Sequence, residues 1–145
     1  MIPINPKAPV QFRKTIIINA NSVAVWKVLT DVANWSSWQT DLKSPVINGP
    51  VKEGAIFTWK SGGFKIKSEL HTVSPYVHFG WTGKSLGVYA IHNFTITELK
   101  KQTEVLVEES MEGILTRILK PILKTKLEKT NTNWLNFLKR ECERS

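Results

Sequence analysis

Residues 88–113, VYAIHNFTITELKKQTEVLVEESMEG, decide the fold. Before the Lys100-Lys101 turn the apolar-biased positions are Ala90, His92, Phe94 and Ile96; after it they are Val105, Val107, Glu109 and Met111. Period-two alternation marks a strand with one buried face. Two such runs joined by a short polar turn must be antiparallel, because parallel neighbours need a long crossover. Pairing Glu98 with Thr103 sets Ile96 against Val105, Phe94 against Val107 and His92 against Glu109. That register puts both apolar sets on one face, and a slip of one residue would turn one set away.

The same test works one hairpin earlier. Pairing Thr72 with Val77 sets Leu70 against Phe79 and Ser68 against Trp81, and the strand before adds Phe57 and Trp59 to the inward face. Period-two segments at 44–47, 55–60, 64–73, 77–81, 88–98 and 104–111 are separated by turn residues, among them Asn48-Gly49-Pro50, Ser61-Gly62-Gly63 and the stretch 83–87. Upstream, residues 11–19 (QFRKTIIIN) are β-branched and read as a first strand. Asn21 and Ser22 then offer N-cap oxygens to a short helix carrying Val23, Trp26 and Leu29. A second short turn, capped by Asp31, carries Val32, Trp35 and Trp38.

Downstream the period changes. Leu115, Ile118, Leu119, Ile122, Leu123, Leu127, Trp134, Leu138 and Cys142 trace an apolar stripe at steps of three and four, which predicts a helix over 114–142. Its length would be roughly 42 Å. Pro121 predicts a kink or a late start, since its ring excludes a backbone bond. Such a helix cannot bury its stripe alone, and the concave face of the sheet is the surface available to it. The expected architecture is α+β: a curved antiparallel sheet of about seven strands around a long C-terminal helix, with two short helices after the first strand. A length of 145 residues fits one domain spanning 1–145, with residues 1–9 as an extended segment.

Composition narrows the function classes. Six Trp and six Phe supply rigid apolar surfaces suited to a core or a cavity wall. No apolar run approaches the roughly 20 residues that span a bilayer, and the N-terminus lacks a signal-peptide pattern, so a cytoplasmic location is expected. The single cysteine, Cys142, excludes an internal disulfide and a paired-thiolate zinc site; near the tail it would permit an artefactual disulfide dimer. There is no Gly-rich phosphate loop and no His-x-x-x-His spacing, so neither a cofactor nor a metal is expected. The net charge of +8 favours encounters with anionic partners, including transient contact with an anionic membrane, without implying specific nucleic-acid recognition. Arg117, Lys120, Lys124, Lys126, Lys129, Lys139 and Arg140 read as a solvated helix face. The expected state is a monomer or a weak homodimer.

His92 opposite Glu109 is the most informative pair. A buried, unpaired carboxylate costs several kcal/mol, and a facing imidazole can share a proton with it. The pair reads either as a satisfied structural couple or as a polar anchor that orients a ligand's carbonyl or hydroxyl. A catalytic acid–base pair is the sharper version. His71 and His78 fall on the opposite face and are expected to be exposed.

The order of elements resembles the helix-grip fold of the START and birch-pollen-allergen superfamily (SRPBCC). Residues 18–38, INANSVAVWKVLTDVANWSSW, are similar to that superfamily's opening. AIHNFTI (90–96) with TEVLVEESMEG (103–113) resembles its bacterial polyketide cyclase/dehydrase and lipid-transport branch, and LEKTNTNWLNFLKRECE (127–143) its closing helix. The resemblance implies an internal cavity for lipids, sterols, polyketides or quinones. By that analogy Trp38, Trp59, Ser68, Phe79, Trp81, His92 and Glu109 would line it, with Ile118, Leu119 and Ile122 from the helix; Phe57 and Phe94 join from the inward register. The leading expectation is a non-enzymatic binder or carrier of a small hydrophobic ligand. The alternatives are a cyclase/aromatase-type enzyme using His92 and Glu109, and a protein- or membrane-interaction module using the basic surface.

Overall fold

The structure, a computed structural model, describes residues 1–144. In chain order it runs β1 (Val10–Ile18), α1 (Ser22–Thr30), a 3₁₀ turn (Val32–Ser37), β2 (Leu42–Ile47), β3 (Ile56–Ser61), β4 (Phe64–Ser74), β5 (His78–Ser85), β6 (Val88–Glu98), β7 (Thr103–Glu112), α2 (Ile114–Ile118) and α3 (Lys120–Glu143). The seven strands form one antiparallel sheet in the order β1-β7-β6-β5-β4-β3-β2, curved around α3. This is the helix-grip architecture.

The β6–β7 register is the one read from the alternation, with His92 opposite Glu109 and Phe94 opposite Val107. The β4–β5 register differs. Leu70 pairs with Trp81, not Phe79, and a bulge between Leu70 and Thr72 brings Val73 opposite Phe79. The turn holds three residues, Pro75 to Val77, where a Thr72–Val77 pairing leaves four, and Tyr76 within it adopts a left-handed φ of 67°. Moving Leu70 by two positions preserves parity, so Leu70, Phe79 and Trp81 all remain buried. Strand β5 also runs through Ser85, so the turn expected over 83–87 shrinks to Leu86-Gly87, both with positive φ (44° and 75°).

The C-terminal helix is broken rather than kinked. Leu119 leaves helical geometry (φ −106°, ψ 25°), and α3 starts afresh with Pro121 in its first turn, where a missing N–H costs little. The second half of α3 is pinned at both edges of the sheet. Lys139 Nζ donates to Ile17 O (2.7 Å), Glu143 accepts from Asn19 N (2.7 Å), and Asn133 Nδ2 donates to Asp41 Oδ2 (2.7 Å). At the centre stands Trp35, fully buried and held by its indole N–H bond to Leu29 O (2.9 Å).

Residues 1–9 form no strand or helix and cross the convex face of the sheet. Asn93 Nδ2 donates to Ile2 O (2.8 Å), and Asn5 N donates to Ser110 Oγ (3.0 Å). His71, whose Nδ1 accepts from Ile2 N (3.5 Å), and His78, whose ring meets Thr95 Oγ1 (3.4 Å), are half-buried instead of exposed, and burial holds the His71 imidazole below its usual pKa. Among the described residues no helix is long and apolar enough to cross a membrane.

Candidate functional site

Toward the β5–β6 hairpin the space between sheet and helix is not filled. A cavity of about 220 Å³ lies between the inward faces of β3–β7 and the leucines of α2 and early α3. Its origin is a step in side-chain size along paired strands. Trp81 pairs with His92, but the next inward pair is Gly83 with Ala90, and the next Ser85 with Val88. Large rings give way to almost nothing, and the wall thins into a hollow. Leu115, Leu119, Leu123 and Leu127 roof it; Trp81 and Trp134 close its inner end.

The inner end carries the polar groups. His92 Nδ1 and Glu109 Oε1 are 2.6 Å apart, and both residues are buried. Asn131 Nδ2 donates to the same carboxylate oxygen (3.2 Å) and to Leu127 O (3.2 Å), which fixes its orientation. Trp81 lies flat on the imidazole, with centroids 4.3 Å apart and planes within 5°. Stacking on one side and the carboxylate at Nδ1 hold the ring's orientation and leave Nε2 as the unassigned nitrogen. Among the described residues His92 Nε2 is buried and has no hydrogen-bond partner, and Asn131 Oδ1 is likewise unpartnered. A buried polar atom without a partner is costly, and a ligand group can supply what the protein does not.

The residues expected at the site divide. Trp59, Trp81, His92, Glu109 and Leu119 line the cavity. Ser68 does not; its hydroxyl sits behind the wall, accepting from Trp59 Nε1 at 3.0 Å. Trp38 packs edge-on against Trp134 (5.7 Å), and Phe57, Phe79 and Phe94 are core. Ile118 and Ile122 point to solvent, 68% and 65% exposed, because the break at Leu119 leaves their side of the stripe facing away from the sheet. Beyond the expected residues, Gly83, Ala90, Met111 and Leu123 form the wall, and Phe64, Leu86 and Lys126 lie toward solvent. The small residues were the available signal: glycine and alanine at inward positions leave space where the neighbouring pair leaves none. At the outer end Lys126 Nζ sits over the Phe64 ring, 5.3 Å from its centroid. No group of three or more His, Cys, Asp or Glu side chains gathers among the described residues as a metal site requires.

The model of the family described as polyketide cyclase / dehydrase and lipid transport matches residues 9–143. The chain belongs to that family. No curated protein matches it in sequence. Solved structures of similar fold include a hypothetical protein from Helicobacter pylori, at 16% identity and a TM-score of 0.85, covering 99% of this chain and 98% of that one. An aromatase/cyclase from a Streptomyces strain is 15% identical with a TM-score of 0.81, covering 92% and 93%. A START superfamily protein from Mycobacterium smegmatis is 15% identical with a TM-score of 0.80, covering 92% and 97%. At these identities the likeness is one of fold, and what a family member does must be argued from its site.

Proposed function

We propose that the chain binds a small hydrophobic ligand in the cavity, with the His92–Glu109 pair anchoring a polar group at the ligand's inner end. The observation that carries this reading is an apolar hollow whose inner end holds a buried imidazole nitrogen with no partner among the described residues. If the ring is neutral and Nδ1 donates its N–H to Glu109, Nε2 accepts from a ligand hydroxyl; if the imidazole is cationic, Nε2 donates to a ligand carbonyl. The volume limits the occupant. An apolar cavity of about 150 Å³ accommodates benzene, so about 220 Å³ fits one or two rings, or the end of a longer molecule extending through the mouth. The test is native mass spectrometry of protein from its own host, followed by a hydrophobe library screened by thermal shift. Ala90→Phe should fill the hollow, leave the fold intact and abolish binding. Binding that survives a filled cavity would remove the reading.

A second reading has its own support in the 2.6 Å contact between His92 Nδ1 and Glu109. A carboxylate behind an imidazole fixes its tautomer and stabilises the imidazolium, leaving Nε2 to take and return a proton on a bound polyketide-like carbonyl compound. The aromatase/cyclase from Streptomyces is consistent with it at the level of fold alone. His92→Gln separates the two: loss of turnover with binding retained supports the enzyme, and equal effects on both support the anchor.

A further inference from the structure

The segment between the sheet and the pinned half of α3 carries apolar side chains that nothing among the described residues covers. Ile114 and Ile118 on α2 and Ile122 just past the break at Leu119 are 77%, 68% and 65% exposed. Single exposed apolar side chains are ordinary, but three along one short segment are the kind of patch that marks an interaction surface. The opposite side of the segment is apolar as well, since Leu115, Leu119 and Leu123 roof the cavity. Charge identifies the partner. Between Gly113 and Leu127 every charged residue is basic (Arg117, Lys120, Lys124 and Lys126), and none of the four makes an ion pair among the described residues. A second copy of the chain would bring this charge against itself in a two-fold contact. An anionic surface with an apolar interior matches both features.

We propose that α2 and the first turns of α3 form an interfacial surface that docks on an anionic lipid bilayer. Ile114, Ile118 and Ile122 enter the acyl boundary, while Arg117, Lys120 and Lys124 meet the headgroups. The docked segment also carries the leucines that roof the cavity, so that a hydrophobe passes between bilayer and pocket beside it. The inference deepens the pocket reading and rests on it for that last step; the docking itself requires no ligand.

The test is flotation of the full chain with vesicles of phosphatidylcholine alone, and with about 30 mol% phosphatidylglycerol added. The chain should float with the anionic vesicles only and be released by raising salt toward about 0.5 M. Ile118→Asp with Ile122→Asp should weaken binding about tenfold or more, with an unchanged melting transition because both positions are exposed. Lys120→Gln with Lys124→Gln should weaken it on anionic vesicles as well. Equal flotation of the isoleucine variant, or no flotation of the parent chain, would overturn the proposal. So would a dimer in sedimentation velocity that the same isoleucine substitutions abolish, since the patch would then be an interface between copies. The pocket-filled Ala90→Phe protein separates this from the pocket reading: continued flotation without ligand binding supports docking by itself. Flotation lost with the pocket filled would mean lipid extraction in place of docking.

Discussion

The space between sheet and helix has two halves, built from the same alternation and ending in opposite states. In one half the 3₁₀ turn delivers Trp35 into the sheet's curve, where its ring meets Phe57 at 5.4 Å, Trp81 at 5.2 Å and Trp134 at 5.1 Å. In the other, the inward positions dwindle to Gly83, Ala90 and Ser85, and the leucines of the helical segment, Leu115 to Leu127, roof the space without filling it. Trp81 and Trp134 are the partition, touching Trp35 on one side and lining the cavity on the other. Whether an inward residue is core or wall is therefore not a property of its strand. It depends on what the rest of the chain inserts opposite it.

The comparison breaks most directly at Trp35. Trp35→Ala removes the plug and leaves Leu29 O without its donor, and it should cost about 3–5 kcal/mol in urea unfolding. A loss below about 1 kcal/mol would mean that the filled half is not held by its aromatic cluster. In a variant that still folds, the partition loses support and the cavity should accept larger hydrophobes than in the parent.

A smaller effect is expected at the open half. Leu86 occupies the first position of a two-residue hairpin with φ 44°, where a branched apolar side chain is strained by about 1–2 kcal/mol and Asn is accommodated. It nonetheless lines the cavity and is 67% exposed. Leu86→Asn should raise stability by roughly 0.5–1 kcal/mol while weakening ligand binding. A variant that loses stability would show that packing of Leu86 outweighs its strain, and the open half would be more closed than its geometry indicates.

Alternation in β6 and β7, with a short turn between them, leaves one register that buries both apolar sets, so the juxtaposition of His92 and Glu109 was legible in the sequence. The β4–β5 pairing was not, because the bulge after Leu70 and the left-handed Tyr76 are backbone choices that side-chain pattern does not encode. Parity survived the error, which is why the inward face was right where the partners were wrong. The wall of the cavity was half legible. Alternation identifies Phe57, Phe79 and Phe94 as inward but cannot say that Trp35 and its neighbours cover them. Ile118 and Ile122 fit the helical stripe by spacing, yet the break before Pro121 ends the continuity that the stripe assumed.

The smallest effect distinguishes the halves by chemistry rather than stability. Cys142 belongs to the filled half, packed in the aromatic core and 8% exposed, so the disulfide dimer that a tail cysteine would allow is not expected from the folded chain. Burial, reinforced by Glu141 and Glu143, pushes its thiol up to about 12. At pH 8 only about one thiol in ten thousand is then ionised, and thiolate is the form that attacks a disulfide reagent. Labelling should therefore proceed only through opening of the fold and accelerate with denaturant. A cysteine placed on the cavity wall, Met111→Cys in a Cys142→Ser background, faces the hollow instead and should label at least about a hundredfold faster without denaturant. Equal rates would mean that the helix end opens as readily as the cavity, and that the two halves differ in shape but not in closure.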